Sequence, residues 1–229
     1  MRKGQKVFCY NFFMKNMPQK FFFKNANVYL FLSFAFLLFL AGPLYEYFLI
    51  PRHYFEYLFL IILFVSSLVH SANSISIKVT LFLLISILFY YLVVGVEASP
   101  YIFMAKIVIV FLAIKELGTE LKKTKLIDIN IVSGVISMYL LIGVIFAYLY
   151  SLLFMFDPNS FANVAVNADD VSPLNFLYFS FVTLTTLGFG DIVPLSMTAK
   201  FWSISEAITG VLFLAVLIGR IVSLIGNKK

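Results

Sequence analysis

Charge is scarce in this chain. Aspartate, glutamate, lysine and arginine make up 12% of its 229 residues, against about 25% in a soluble domain. Too little polar surface remains to cover a water-soluble core. A single cysteine, Cys9, excludes an internal disulfide framework and a cysteine-rich metal site. The two histidines, His53 and His70, form no paired motif, so nothing points to a zinc active site. The formal net charge of +6 is compatible with nucleic acid, but the positions of the charges fit membrane topology instead. What the chain has in abundance is apolar: 62% hydrophobic residues, with 28 phenylalanines and 13 tyrosines, and a mean hydropathy of +1.00. It reads as a polytopic membrane protein.

Crossing the hydrocarbon takes about 20 apolar residues. Six segments come near that length: 28–45, 54–69, 77–96, 101–117, 131–156 and 199–225. The second and fourth are slightly short, and interfacial tyrosine and lysine anchors compensate. The first 26 residues carry Arg2, Lys3, Lys6, Lys15, Lys20 and Lys24 without an acid. Lysines interrupt the apolar stretches there and no small-residue cleavage site follows, so the segment is not a secretory signal. It reads as a cytoplasmic segment at the headgroups, where basic charge meets anionic lipid, with a disordered basic tail as the alternative.

Positive charge gathers on the cytoplasmic side of membrane proteins. Lys115, Lys122, Lys123 and Lys125 follow the fourth segment, and Arg220, Lys228 and Lys229 lie at the C-terminal end. Between other segments lie Glu46, Glu56 and a lone Arg52, then Glu97, then Asp157, Asp169 and Asp170. Six crossings put every basic cluster inside, with both termini. Five or seven would put one basic end outside. The expected organisation is a basic segment (1–26), a four-helix sensor-like domain (27–117), a cytoplasmic linker (118–130) and a final module (131–229).

One connection is too long and too apolar for a simple loop. In 157–198, Ser172–Pro173 opens a helix well, serine as N-cap and proline at the first position. A helix over 175–185 would reach about 16–20 Å, roughly half of the hydrocarbon core. Gly188, Gly190 and Pro194 then turn the chain back. Such a re-entrant segment is tolerated only when buried in protein or facing water.

The stretch after that half-length helix is Thr183-Leu184-Thr185-Thr186-Leu187-Gly188-Phe189-Gly190-Asp191. It resembles the potassium-channel signature, T-x-x-T-x-G-(Tyr/Phe)-G-D, over the two-span pore module of 131–225. Physics explains those residue types. A potassium ion must exchange its water shell for protein oxygens, and backbone carbonyls supply them if consecutive ones face one axis. An ordinary strand alternates its carbonyls, so alternate residues need unusual dihedrals, which Gly188 and Gly190 adopt without a Cβ clash. The expected ion ligands are Thr186, Leu187, Gly188, Phe189 and Gly190, with the Thr186 hydroxyl at the cytoplasmic end and Asp191 at the outer mouth. A ring of carbonyls needs four such segments, so a homotetramer is expected unless a related chain co-assembles.

The resemblance extends further. Tyr178-Phe179-Ser180 stand where the family often has an aromatic pair beside the filter. Gly210 matches the inner-helix hinge glycine, with close helix packing as the alternative. Similar prokaryotic six-span channels carry a glutamate where Glu206 falls, and it would support the filter from behind, draw cations, or hydrogen-bond to a neighbouring helix. Val182 replaces a glutamate that some members pair with the aspartate, so Asp191 needs another partner or sits hydrated. Leu187 and Phe189 replace the commoner valine and tyrosine.

The fold class implied is an all-α membrane protein: six transmembrane helices, a re-entrant pore helix and a selectivity-filter loop, around a tetrameric pore. The fourth segment carries only Lys106 and Lys115 where voltage sensors place arginine at every third position. Lys106 is expected to snorkel outward toward Glu97. Steep voltage gating is not expected. No ligand domain is visible after the last segment, and no cofactor beyond the permeant ion is implied. The resemblance implies a potassium-selective passive channel in a bacterial inner membrane, with potassium ions and membrane lipids as partners and no nucleic acid. The alternatives are a weakly selective cation channel and a non-conducting subunit of another channel. An intramembrane enzyme lacks any nucleophile–base or metal constellation.

Overall fold

In hydrocarbon a backbone must satisfy its own polar groups, and helix does so within one segment. A computed structural model describes residues 26–36, 58–65, 79–88, 99–123, 128–164 and 173–226, and these are almost entirely helical. Seven helical stretches follow one another: α1 (Ala26–Phe36), α2 (58–65), α3 (Val79–Leu88), α4 (Pro100–Lys123), α5 (Ile129–Phe156), α6 (Pro173–Leu184) and α7 (Met197–Gly226). Among the described residues, two stretches are long and apolar enough to cross a membrane: α5 and Met197–Arg220 of α7. The 24 residues of α4 have the length, but Lys106, Lys115 and Glu116 interrupt its apolar run. It also continues six residues beyond the expected end at Leu117, through Glu120 to Lys123.

Several expectations fall outside the described residues. These are the basic N-terminal segment, half of each of the first three apolar segments, Ser172 before α6, and the loops with Glu46, Arg52, Glu56, Glu97, Asp169 and Asp170.

The ends of α5 are set by two aspartates. Asp128 is extended at the N-cap and accepts a bond from the Ile129 N–H at 2.7 Å, satisfying one of the helix's orphan donors. At the other end Asp157 closes the helix through its N–H to the Leu153 carbonyl. Its carboxylate then accepts from the Asn159 N–H at 3.1 Å, opening a 3₁₀ turn over Pro158–Ser160. Inside α5, Ser133, Ser137 and Ser151 are buried, and each returns its hydroxyl proton to the carbonyl four residues back. That keeps a polar side chain satisfied without a second helix.

Past the 3₁₀ turn, β1 (Phe161–Ala162) pairs antiparallel with β2 (Val193–Pro194), Phe161 opposite Pro194. The Leu195 and Ser196 N–H groups both donate to the Ser160 carbonyl. This clip ties the C-terminal end of α5 to the chain that follows residues 185–192.

Two apolar cores meet at α5. The first joins Leu30 and Phe34 of α1, Leu60 and Leu63 of α2, Ile87 of α3, and a buried stripe of α4 to Leu141, Val144 and Tyr148. The second is aromatic: Tyr150, Phe154, Phe161, Phe176 and Phe179, closed by Ala199 of α7. Edge-to-face contacts of 5.1–5.6 Å join Tyr150 to Phe161 and Phe179, and Phe161 to Phe176 and Phe179, each worth about 0.5–1.5 kcal/mol beyond area burial. Lys106 lies within the first core, 3% exposed, its ammonium 5.3 and 5.4 Å from the ring centres of Phe103 and Tyr148. Two electron-rich ring faces thus surround the cation.

Where α5 meets α6, Gly143 faces the Phe181 ring; a Cβ there would stand 3.0 and 3.1 Å from two ring carbons. Gly143→Leu should therefore destabilise the protein by about 1–3 kcal/mol through overpacking. Gly118→Ala, whose Cβ would meet only the Met138 methyl at 3.7 Å, should be near neutral. Thermal melts of both variants in detergent check the contrast.

Candidate functional site

The site begins at the C-terminal end of α6. This helix of 12 residues rises about 18 Å and ends at Leu184, two residues before the positive φ of Thr186. Its last carbonyls would be orphans in any helix. Here they receive the amides of the chain turning back: Thr185 N–H to Phe181, Thr186 N–H to Thr183, and both Leu187 and Gly188 N–H to the Val182 oxygen at 2.9 and 3.2 Å.

That double bond to Val182 decides the direction of two carbonyls. In a trans peptide the C=O of one residue is antiparallel to the N–H of the next, and there are no cis bonds among the described residues. With the Leu187 and Gly188 N–H groups aimed at one oxygen, the Thr186 and Leu187 carbonyls both point away from α6. The dihedrals that permit this alternate along the chain: φ is +59° at Thr186, +60° at Gly188 and +80° at Gly190. A Cβ built on either glycine would meet nothing within 4 Å. Glycine is needed there for backbone conformation and not for space. Thr186 is β-branched and still adopts positive φ, a strained conformation costing about 1–3 kcal/mol.

The outer end of this strand is held by Tyr178. Its ring lies parallel to that of Phe189, 6.4 Å between centres with a 6° interplanar angle. Its hydroxyl donates to Asp191 Oδ2 at 2.6 Å, while Asp191 Oδ1 accepts from the Ile192 N–H at 3.0 Å. The Tyr178 bond is the largest cause holding the Asp191 carboxyl below its ordinary range. The partner that Asp191 needed in place of a glutamate at Val182 is thus Tyr178. It was legible in retrospect: Tyr178 precedes Val182 by four positions, one turn back on the same helix face.

Behind the strand, Glu206 of α7 is completely buried. Tyr150 of α5 donates to its Oε2 at 2.6 Å, and Ser180 of α6 lies 2.5 Å from its Oε1. Ser180 is also 2.7 Å from the Gly143 carbonyl. One hydroxyl has one proton for two acceptors. All groups are satisfied when Ser180 donates to Gly143 and a protonated Glu206 donates to Ser180. One carboxyl thereby joins three helices. Sequence reasoning singled out Glu206 but missed Tyr150 and Gly143; a tyrosine 56 positions away carries no local signal.

Gly210 is buried one turn further along α7, and a Cβ there would fall on the Leu184 carbonyl. The geometry is a close approach between α7 and the end of α6. Tyr139 of α5 donates to that same Leu184 oxygen at 3.2 Å. The structure thus brings Thr186, Leu187, Gly188, Phe189, Gly190 and Asp191 into one strand, with Glu206 behind it and Gly210 at its base. Among the described residues, no group of three or more His, Cys, Asp or Glu could hold a metal ion.

Comparison with known proteins places this arrangement. Residues 134–227 match the model of a family described as an ion channel. A stretch of 46 residues, 20% of this chain, is 52% identical to two-pore potassium channel 4 of Arabidopsis thaliana. The match spans only 16% of that relative's length. Together with two membrane-capable helices, the match over 134–227 supports a membrane protein with an ion-channel domain.

Three variants test the geometry. Because the Asp191 pKa is depressed in the folded protein, its tie to Tyr178 contributes stability above the ordinary aspartate value of about 3.9 and loses it as pH falls through the lower folded value. Tyr178→Phe should move the acid limb of any ion flux to higher pH, read from a flux titration between about pH 6 and 3. Glu206→Gln keeps a donor and an acceptor in the same volume and should melt close to the parent, whereas Glu206→Ala should lose about 2–4 kcal/mol, measured by thermal unfolding.

Proposed function

We propose that the chain is one subunit of a tetrameric, potassium-selective channel that conducts K⁺ passively across a membrane. The observation that carries this reading is the pairing of the Leu187 and Gly188 amides on the Val182 carbonyl, with positive φ at Thr186, Gly188 and Gly190. Together they turn neighbouring carbonyls to one side of the strand. One strand offers one column of oxygens. Four around an axis would replace the hydration shell of a potassium ion.

Thr186, Leu187, Gly188 and Phe189 would hold the ions, with Gly190 completing the strand and the Thr186 hydroxyl closing it on the cytoplasmic side. The C-terminal end of α6, the negative end of its dipole, favours a cation below. Leu187 and Phe189, 57% and 64% exposed in the single chain, are the apolar surface that neighbouring subunits would cover. Glu206 supports the filter from behind, and Gly210 is where the lower part of α7 would bend. A less selective cation pore is the second reading, favoured by Phe189, which brings no hydroxyl to the surrounding helices.

The chain would cross the membrane six times, in a bacterial inner membrane, with both termini in the cytoplasm. Voltage dependence would be shallow. Lys106, held between Phe103 and Tyr148, is a single charge, worth at most about 2.3 kcal/mol per 100 mV if it crossed the whole field.

Reversal potentials in planar bilayers with potassium against sodium test selectivity. The wild-type current should reverse near the potassium equilibrium potential; reversal near zero would replace the main reading with the second. Gly190→Ala, forced to positive φ at about 1–2 kcal/mol, should lower the current at least about tenfold. The slope of conductance against voltage should be the same for Lys106→Gln as for wild type, and a steep relation abolished by that change would contradict the shallow-gating reading.

A further inference from the structure

The last turn of α6 has four carbonyls that no further helical residue can bond. Phe181, Val182 and Thr183 take amides from the chain that follows. The fourth, Leu184, accepts instead from the hydroxyl of Tyr139 on α5, 45 positions away in the chain. Peptide planarity says where that oxygen lies. The Leu184 C=O is antiparallel to the Thr185 N–H, which points back along α6 to the Phe181 carbonyl. The Leu184 oxygen therefore projects beyond the end of the helix, toward α7, where a Cβ on Gly210 would fall on it. Without Tyr139 it would be an orphan acceptor away from water, which is costly.

Leu184 is also held by its side chain, and is 1% exposed. A Cβ on Gly143 of α5 would stand 3.4 Å from one of its methyls, and a Cβ on Gly210 of α7 would stand 3.1 Å from the other. Leu184 thus sits in a slot between two glycines on separate helices. Such a slot fixes where the residue lies but not which way its peptide plane faces, because apolar contact has no direction. A hydrogen bond does. The Tyr139 hydroxyl supplies it, and the Tyr139 ring is braced on Phe213 of α7, 5.5 Å between centres at a 40° tilt.

The peptide so fixed lies directly before the strand. Thr186, the second residue beyond Leu184, holds a φ of +59°, a strained value that persists only where its surroundings over-determine it. Released from Tyr139, the Leu184–Thr185 peptide can tilt, and the tilt reaches the Thr186 carbonyl through one residue. A column of oxygens that separates two ions of equal charge depends on how those oxygens are placed and held.

We propose that Tyr139 is a positioning residue for ion selectivity: by capping the Leu184 carbonyl, its hydroxyl fixes the peptide from which the carbonyl column begins. The proposal rests on the channel reading above. Tyr139 touches no ion and acts through Leu184.

The test is the reversal potential of the full-length protein in planar bilayers, with potassium on one side and sodium on the other. Tyr139→Phe keeps the ring on Phe213 and removes only the hydroxyl. Its permeability ratio for potassium over sodium should fall about tenfold, the factor to which one lost hydrogen bond converts. Phe213→Leu keeps the hydroxyl but loosens its brace, and should lower the ratio about two- to threefold. A tyrosine with a packing role alone would lower the melting temperature or the current and leave the reversal potential unmoved. Infrared spectroscopy of an isotope-labelled Leu184 carbonyl reads the bond itself, and its band should move to higher frequency in Tyr139→Phe. A wild-type ratio retained by Tyr139→Phe, or a Leu184 band that stays in place, overturns the proposal and leaves the channel reading standing. Wild-type reversal near zero removes the selective reading and the proposal with it. If Tyr139→Phe carries no current, Phe213→Leu decides: a lowered ratio supports the proposal and an unchanged one overturns it.

Discussion

Everything at the site depends on where a few backbone amides go. A strand that offers its carbonyls to an ion must turn its N–H groups elsewhere, and within a membrane there is no water to take them. The end of α6 solves both halves of this problem. A helix C-terminus has carbonyls without donors, and the reversing chain has amides without acceptors. Val182 accepts two of them, and the planarity of the peptide then fixes the opposite oxygens. The positive φ values at Thr186, Gly188 and Gly190 are the conformational consequence. The strain at Thr186 persists because the surrounding bonds over-determine it.

The rest of the domain holds that strand from three directions. At its Asp191 end, Tyr178 contacts it twice, by ring and by hydroxyl, and the β1–β2 clip fastens its exit to α5. Behind it, the Glu206 carboxyl joins α5, α6 and α7 through Tyr150 and Ser180. At its base, Tyr139 and Gly210 meet on the Leu184 carbonyl. A buried carboxyl is costly in hydrocarbon, so its presence at a three-helix junction is a matter of orientation more than of net stability. The aromatic core around Phe161 and Phe179 supplies the bulk packing that keeps this junction closed.

On the other side of α5, charge is handled differently. Lys106 sits between two aromatic rings, inside the core and not at its edge, where the sequence alone pointed it outward. On the same helix Glu116 is 8% exposed, and neither carboxyl oxygen has a hydrogen-bond partner. A lysine and a glutamate are thus both buried on α4, the first beside two aromatic rings and the second with no hydrogen bond to its carboxyl oxygens. The helix joins α5 through Phe103 and Tyr148, so the two cores are mechanically continuous through a single helix.

Much of this was legible in the residues. Low charge and long apolar runs established a membrane protein, because composition alone decides whether a core can be covered in water. The half-length helix, the two glycines and the turn at Pro194 were local signals, and α5, α6 and α7 begin and end within about two residues of where periodicity and punctuation placed them. The positive φ of Gly188 and Gly190 was legible because backbone conformation is written in residue type, whereas Thr186 gave no such signal. Partners far apart in sequence were not. Tyr150 for Glu206, Tyr139 for Leu184 and the burial of Lys106 depend on how helices pack, and no local rule encodes a contact across 56 or 45 positions. The sequence by itself determined the solvent, the helices and the two glycines that turn the chain after α6. Only the tertiary structure decided what holds that stretch, because hydrogen bonds between helices exist only once the helices have been placed side by side.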